Sequence, residues 1–304
     1  MNAVIVSEII NVILPVFILL GIGFFVGRFM DVQTKPVSDL CIYVFSPALF
    51  FHSVTTSSLD LGDLGRIVLF ALLLFVLFAI LIRLLGIVFG WNLSYRNTMM
   101  LASAFPNTGN YGLPIVLFAF GDEGMAIAII YVVMQSLLMN SAGIFYASNH
   151  ADVSKKAIFI TIIRMPGFIA ITIGLILKIA GIAVPEALGN ATGLLGQAAV
   201  PVLLTLLGIT LASIQIKTVL KFIGTAAVLK LVAFPAIAFV LLAWLYPAGS
   251  LEAKVLLISA ATPAAATTTL LAMKFNMNPD MVSSAMFVST LASIVTIPVL
   301  LLVL

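Results

Sequence analysis

The sequence predicts an all-α, polytopic membrane protein, and three observations carry that prediction. Hydrophobic residues make up 63% of its 304 positions and charged residues 8%, with a mean hydropathy of +1.28. A soluble domain carries about 25% charged residues, so this chain cannot coat a water-facing surface. Apolar runs of roughly the 20 residues needed to cross a hydrocarbon core follow one another along the chain. The charges, finally, stand singly or in pairs between those runs, as topology signals do. A nucleic-acid binder would gather them into a basic stripe. The pI near 9.0 and net charge of +3 therefore imply no nucleic acid, and soluble enzymes are excluded.

Taken in order, the runs predict ten spans, at about 9–29, 38–56, 65–90, 95–119, 123–147, 157–181, 188–213, 218–246, 252–274 and 280–303. Polar breaks separate them, among them Asp31 to Lys35, Asp60 to Asp63, Asp122–Glu123 and Asp152 to Lys156. The first run has Glu8 before it and Arg28 and Lys35 after it, the reverse of a cleavable signal peptide. With loops numbered from zero at the N-terminus, odd loops and their flanks hold ten Lys and Arg; even loops hold three, Arg66, Lys178 and Lys254. Cytoplasmic loops carry the excess. A multi-pass protein of the cell (inner) membrane with both termini outside is expected. Cys41, the lone cysteine, lies in an apolar run and reads as a buried structural thiol. No spacing calls for a metal or a cofactor.

The chain also resembles itself. A shift of 151 aligns Leu14-Pro15-Val16-Phe17-Ile18 with Met165-Pro166-Gly167-Phe168-Ile169, and Gly23 with Gly174. A shift of 154 aligns Pro47 with Pro201, and 157 aligns the run ending in Pro106 with the run ending in Pro263. Two halves, 1–150 and 151–304, are expected, each with five spans. Five is odd, so the second half enters the membrane from the opposite side. Such inverted repeats are a transporter architecture with the binding site between the repeats.

Interrupted spans at matching places in two halves are the best sequence pointer to such a site. Here they are the fourth and the ninth. The fourth reads Ala104-Phe105-Pro106-Asn107-Thr108-Gly109-Asn110-Tyr111-Gly112-Leu113-Pro114. Its prolines remove backbone donors and its glycines are poor helix formers, so the helix is expected to open. Freed N–H groups then face a cavity with partial positive charge and suit an anion. Asn107, Thr108 and Asn110 add side-chain donors. The ninth reads Ala261-Thr262-Pro263-Ala264-Ala265-Ala266-Thr267-Thr268-Thr269, whose small residues let two backbones approach closely.

Ten spans in two inverted fives, with Pro-Asn-Thr-Gly-Asn-Tyr-Gly-Leu-Pro in the fourth, resemble the auxin efflux carrier family over the whole chain. Its bacterial members include proteins assigned as malonate or malate permeases. The resemblance implies a fold shared with bile-acid and sodium–proton transporters, in which broken helices four and nine cross at their prolines. One helix group forms a scaffold, the other an elevator-type transport domain, both drawn from both halves. It further implies a homodimer through scaffold helices, a crossover at Pro106 and Pro263, and substrate carboxylate at Asn107. Tyr111, Ala264 and Thr267 complete the expected substrate contacts. Plant members carry a long loop between halves where about ten residues, Ala147 to Lys156, stand here. Their third span has an Asp/Lys pair where this chain offers only Arg83. A small carboxylate is thus a better expectation than auxin.

Lys230, mid-way along the eighth span, is costly in lipid and is expected to face the interior. It could bind the anion, replace a coupling cation and load a proton, or serve structurally. Gln135 and Asn140 of the fifth span could line the cavity or bridge helices. Arg83 and Arg164 can snorkel, and His52 is interfacial. The expected function is a permease for small organic anions driven by protons or membrane potential. Two alternatives are a sodium symporter using Thr267 to Thr269 and a membrane receptor that binds without moving its ligand.

Overall fold

The computed structural model describes residues 2–148, 154–214 and 219–304, and every regular element in them is helical. Helices α1 (Asn2–Phe29), α2 (Thr34–Leu40), α3 (Ser46–Thr56), α4 (Leu61–Val88) and α5 (Leu93–Ser103) lead to the long α6 (Leu113–Leu138) and short α7 (Ile144–Ala147). They are followed by α8 (Lys155–Ile163), α9 (Pro166–Ile179), α10 (Glu186–Ala212), α11 (Leu220–Val228) and α12 (Phe234–Leu245). The chain closes with α13 (Leu251–Ala261), α14 (Ala266–Lys274) and α15 (Pro279–Val303).

Wider π-helical turns at Cys41–Phe45, Thr108–Gly112, Met139–Gly143 and Leu229–Ala233 continue into the helices that follow them. Three of these precede a proline near the start of the next helix, Pro47, Pro114 and Pro235. A proline has no N–H and crowds the carbonyl four residues back. One extra residue in the turn relieves the crowding without ending the helix. Cys41 and Lys230 both lie in such turns and both are buried.

Among the described residues, seven helical stretches are long and apolar enough to cross a membrane. The protein is polytopic and all-helical. The difference from ten has local causes. The expected sixth span is cut at Arg164–Met165, where Pro166 opens α9, and the ninth is cut between α13 and α14. The fourth ends its first part at Ser103, and its second part runs into the fifth as Thr108–Ala147, 40 residues in all. At Gly121, with φ 64° and ψ −159°, that stretch leaves helical geometry, a conformation glycine adopts without a Cβ penalty. The 150/151 division between the expected halves lies outside the described residues, as do Asp152 and Lys217.

The helices pack as two groups. In one, α1 lies along α10, and α3 packs on both α9 and α10. In the other, α4 meets α6 and α12, α13 meets α6 and α12, and α15 meets α5, α11 and α14. Phe78 and Phe234 join α4 to α12 edge to face, with centroids 4.9 Å apart. The α1–α10 contact is backbone against backbone. A Cβ on Gly23 would lie 2.1 Å from the Thr205 carbonyl oxygen, and one on Gly208 would lie 2.1 Å from that of Leu20. Gly23 and Gly27 form the small-residue pattern that allows such approach in lipid.

Two polar devices hold the α3–α4 connector, which links the two groups. Lys178, in the last turn of α9, donates to the carbonyls of Ser57 (2.8 Å) and Leu59 (2.7 Å) and to Ser57 Oγ (3.0 Å). It thereby closes the α3 end, where carbonyls lack helical partners. Lys178→Met should cost about 1–2 kcal/mol and speed amide exchange at residues 57–60. Unchanged exchange would show that these bonds hold nothing.

The second device is a capping box at the start of α4. Asp60 accepts the Asp63 N–H at 2.8 Å, and the Asp60 N–H donates to the Asp63 carboxylate at 3.2 Å. The Asp63 N–H holds the exposed Asp60 carboxyl below its ordinary range. A depressed carboxyl stabilises the fold above its unfolded pKa of about 3.9. That contribution fades as pH falls through the lower, folded value. Amide protection in the first turn of α4 should therefore persist at pH 5 and drop only in stronger acid, and Asp60→Asn should remove the dependence.

Candidate functional site

The site grows from two helix breaks. After Ser103 the chain runs extended through Phe105 and Pro106, then re-enters a helical turn at Thr108. After Ala261 it runs extended through Thr262 to Ala265, then re-enters at Ala266. The two breaks lie antiparallel, with Pro106 opposite Ala264. The Asn107 N–H donates to the Pro263 carbonyl at 2.7 Å, and the Ala265 N–H donates to the Phe105 carbonyl at 2.9 Å. Broken helices cross here, back to back, through two hydrogen bonds.

The prolines make this pairing work. Pro106 occupies an outward position in the antiparallel pair, where a donor would have no partner across the ladder. Ala264, opposite, does have an outward N–H, and Ser289 Oγ of α15 receives it at 3.2 Å. Pro263 cannot return a bond to the Asn107 carbonyl. That carbonyl instead accepts from the N–H groups of Tyr111 (3.2 Å) and Gly112 (3.0 Å), starting its own half-helix. Exchanging the two breaks swaps the two ladder bonds and pairs Asn107 with Ala265, a shift of 158. This is one residue more than the shift that aligns the prolines, because hydrogen-bond register follows donors and not proline positions.

The exchange leaves a chemical asymmetry. Asn107 is 4% exposed, and its Nδ2 has no hydrogen-bond partner; its counterpart Ala265 has no polar side chain. A buried, unmet donor costs about 1–3 kcal/mol. Beside it the first N–H groups of two half-helices lack intrahelical acceptors and carry partial positive charge. The arrangement suits an anion with at least one carboxylate-like oxygen. Among the described residues no group of three His, Cys, Asp or Glu is placed to hold a metal.

A family profile described as membrane transport protein matches residues 8–301. The chain belongs to that family. It is the auxin efflux carrier family to which the fourth-span motif pointed, and the protein is a membrane transporter. An uncharacterized transporter of Methanocaldococcus jannaschii is 28% identical, covering 94% of this chain and 96% of that one. A Rhizobium meliloti protein provisionally named a malonate transporter is 25% identical, over 96% and 94%. The uncharacterized transporter YfdV of Escherichia coli is 23% identical, over 94% of each.

In this transporter the expected site residues divide by position. Pro106, Asn107, Thr108, Pro263 and Ala264 are buried at the crossing itself. Asn110 is partly buried in the turn that follows. Tyr111 is wholly buried, its hydroxyl is hydrogen-bonded with Ser293 Oγ at 2.8 Å, and its ring meets Phe17 of α1 edge-on. Thr267 is exposed, whereas Thr268 is buried and donates back to the Ala265 carbonyl at 2.7 Å. Gln135 is buried, with neither amide atom hydrogen-bonded. It lies one turn beyond Val132, against which a Cβ on Gly109 would rest. Asn140 is engaged elsewhere, donating to the Ser136 carbonyl at 2.9 Å and reaching Met165 at the start of α9.

Sequence reasoning passed over Ser289 and Ser293. Both are buried on α15, four residues apart on one face, one bonded to the crossing backbone and one to Tyr111. That hydroxyl spacing along α15 was the available signal.

Proposed function

We propose that this transporter is a secondary carrier of small organic anions, with the substrate carboxylate bound at the crossover. The observation that carries the reading is the buried, unpartnered Asn107 amide between two half-helix starts. Thr108, Asn110 and Tyr111 flank it on one strand of the crossing, and Pro263, Ala264 and Thr267 on the other. The Rhizobium meliloti relative's name supports a short carboxylate. Gln135 extends the polar lining along the fifth span, and Asn140 ties that span to the sixth.

The reading includes ten spans in two inverted halves, both termini outside, and a homodimer. One contact and its counterpart support the inversion. Gly23 approaches Thr205, joining spans one and seven, while Gly174 approaches Val54 and Thr55, joining spans six and two. Those two glycines are the pair that a shift of 151 superposes. The two packing groups supply the parts of an elevator: α1, α3, α9 and α10 as scaffold, and the crossover group as the body that moves. Proton gradient or membrane potential drives the cycle; a sodium symporter would instead need sodium for binding.

Charge movement in proteoliposomes, across a panel of mono- and dicarboxylates with and without sodium, tests this. A saturable response to a short acid is expected. Ligand binding with no accumulation in vesicles would favour a receptor, and no response from folded protein would remove the carboxylate reading.

A further inference from the structure

Lys230 belongs to neither break, yet the structure ties it to the crossover. It lies in the π-helical turn Leu229–Ala233 of the eighth span and is 0% exposed. Its Nζ donates to the Ala260 carbonyl at 2.8 Å and stands 4.0 Å from the centre of the Phe234 ring. Ala260 is in the last turn of α13, immediately before the break. The last carbonyls of a helix lack intrahelical partners and carry partial negative charge. The neighbouring Ser259 carbonyl is met by Thr262 Oγ1 at 2.8 Å. Lys230 closes the adjacent carbonyl, and no described carboxylate pairs with it.

A carbonyl at a helix end together with an aromatic face is the environment of a bound cation. We propose that Lys230 fills, with a covalently held ammonium, the place behind the crossover that a co-transported cation would otherwise take. The inference rests on the carboxylate reading above. Substrate binding then needs no sodium, because the protein carries its own positive charge to balance one carboxylate. Lys230 is a positioning residue: it bonds the end of α13, and it acts on the substrate through the crossover and through its field. Lys230, Ala260 and Asn107 belong to the same packing group, so charge and site travel together. With a monocarboxylate bound, the moving body carries one unit of charge less than when empty.

The test compares wild type, Lys230→Met and Lys230→Arg in proteoliposomes, using the carboxylate with the largest wild-type response. Each variant is first shown to be monodisperse and folded. The wild-type KM should be the same in sodium and in choline. Lys230→Met keeps the stem and removes the charge, and should raise KM about tenfold or more with a smaller change in kcat. Lys230→Arg should restore KM to within about threefold of wild type, since it keeps charge and donors. A wild-type KM that falls when sodium is added would overturn the proposal. So would Lys230→Met with a wild-type KM, or Lys230→Arg as weak as Lys230→Met, either of which assigns the side chain to packing. A wild type that responds to no carboxylate would overturn the carboxylate reading and this inference with it.

Discussion

Asn107→Ala should weaken carboxylate binding by about a hundredfold while leaving the fold as stable as before. The Asn107 Nδ2 has no hydrogen-bond partner. Removing it deletes no native hydrogen bond and relieves a buried donor, so the melting temperature should stay level or rise slightly. In the bound state that donor would meet an ionised oxygen, a contact in the range of about 1.5–3 kcal/mol. The backbone bond from Asn107 to Pro263 survives the substitution, because it uses only the main chain. Asn107→Asp should bind more weakly still, by placing a like charge against the substrate. Isothermal titration and thermal melting on the same preparations separate the two effects. If Asn107→Ala binds like wild type, the site lies elsewhere in the crossing.

Gly208→Val should destabilise the protein by about 3 kcal/mol or more, enough for most of it to be lost during expression. A Cβ there would stand 2.1 Å from the Leu20 carbonyl oxygen and 2.7 Å from the Phe24 nitrogen. Both are backbone atoms of α1 and cannot rotate aside. Gly23→Val meets the Thr205 backbone in the same way and should behave alike. Gly21, two residues from Gly23, has nothing within 4 Å of its Cβ position, so Gly21→Ala should be neutral or mildly stabilising. A tolerated Gly208→Val, measured by thermal unfolding in detergent, would mean that α1 and α10 can separate without cost. In the elevator reading these two helices belong to the fixed scaffold, so the same variant would test whether that scaffold is rigid.

Lys230 shows where inference from sequence stopped short. Its position in an apolar run implied burial, and the side chain is fully buried. What it faces was open, because three roles fitted one depth. The Ala260 carbonyl, thirty residues away, could not be read from either segment alone. Thr267 to Thr269 show the converse. Adjacent hydroxyls in sequence suggested a cluster of oxygens, but a helix sends neighbours to different sides. Thr267 is therefore exposed while Thr268 bonds within its own turn.

By itself the sequence determined that this protein lives in a bilayer and that two of its helices break. Both follow from local chemistry: apolar runs have no other solvent, and prolines with glycines cannot sustain an i to i−4 ladder. It also held the motif that places the chain among membrane transport proteins. Only the tertiary structure decided the register of the crossing, the service of Ser289 to the Ala264 N–H, the partner of Lys230 and the backbone contact of α1 with α10. Each of these is a contact between segments far apart in the chain. The polar ones depend on which donors remain unmet after every helix has formed, the glycine contact on which faces meet, and both are settled when the helices assemble.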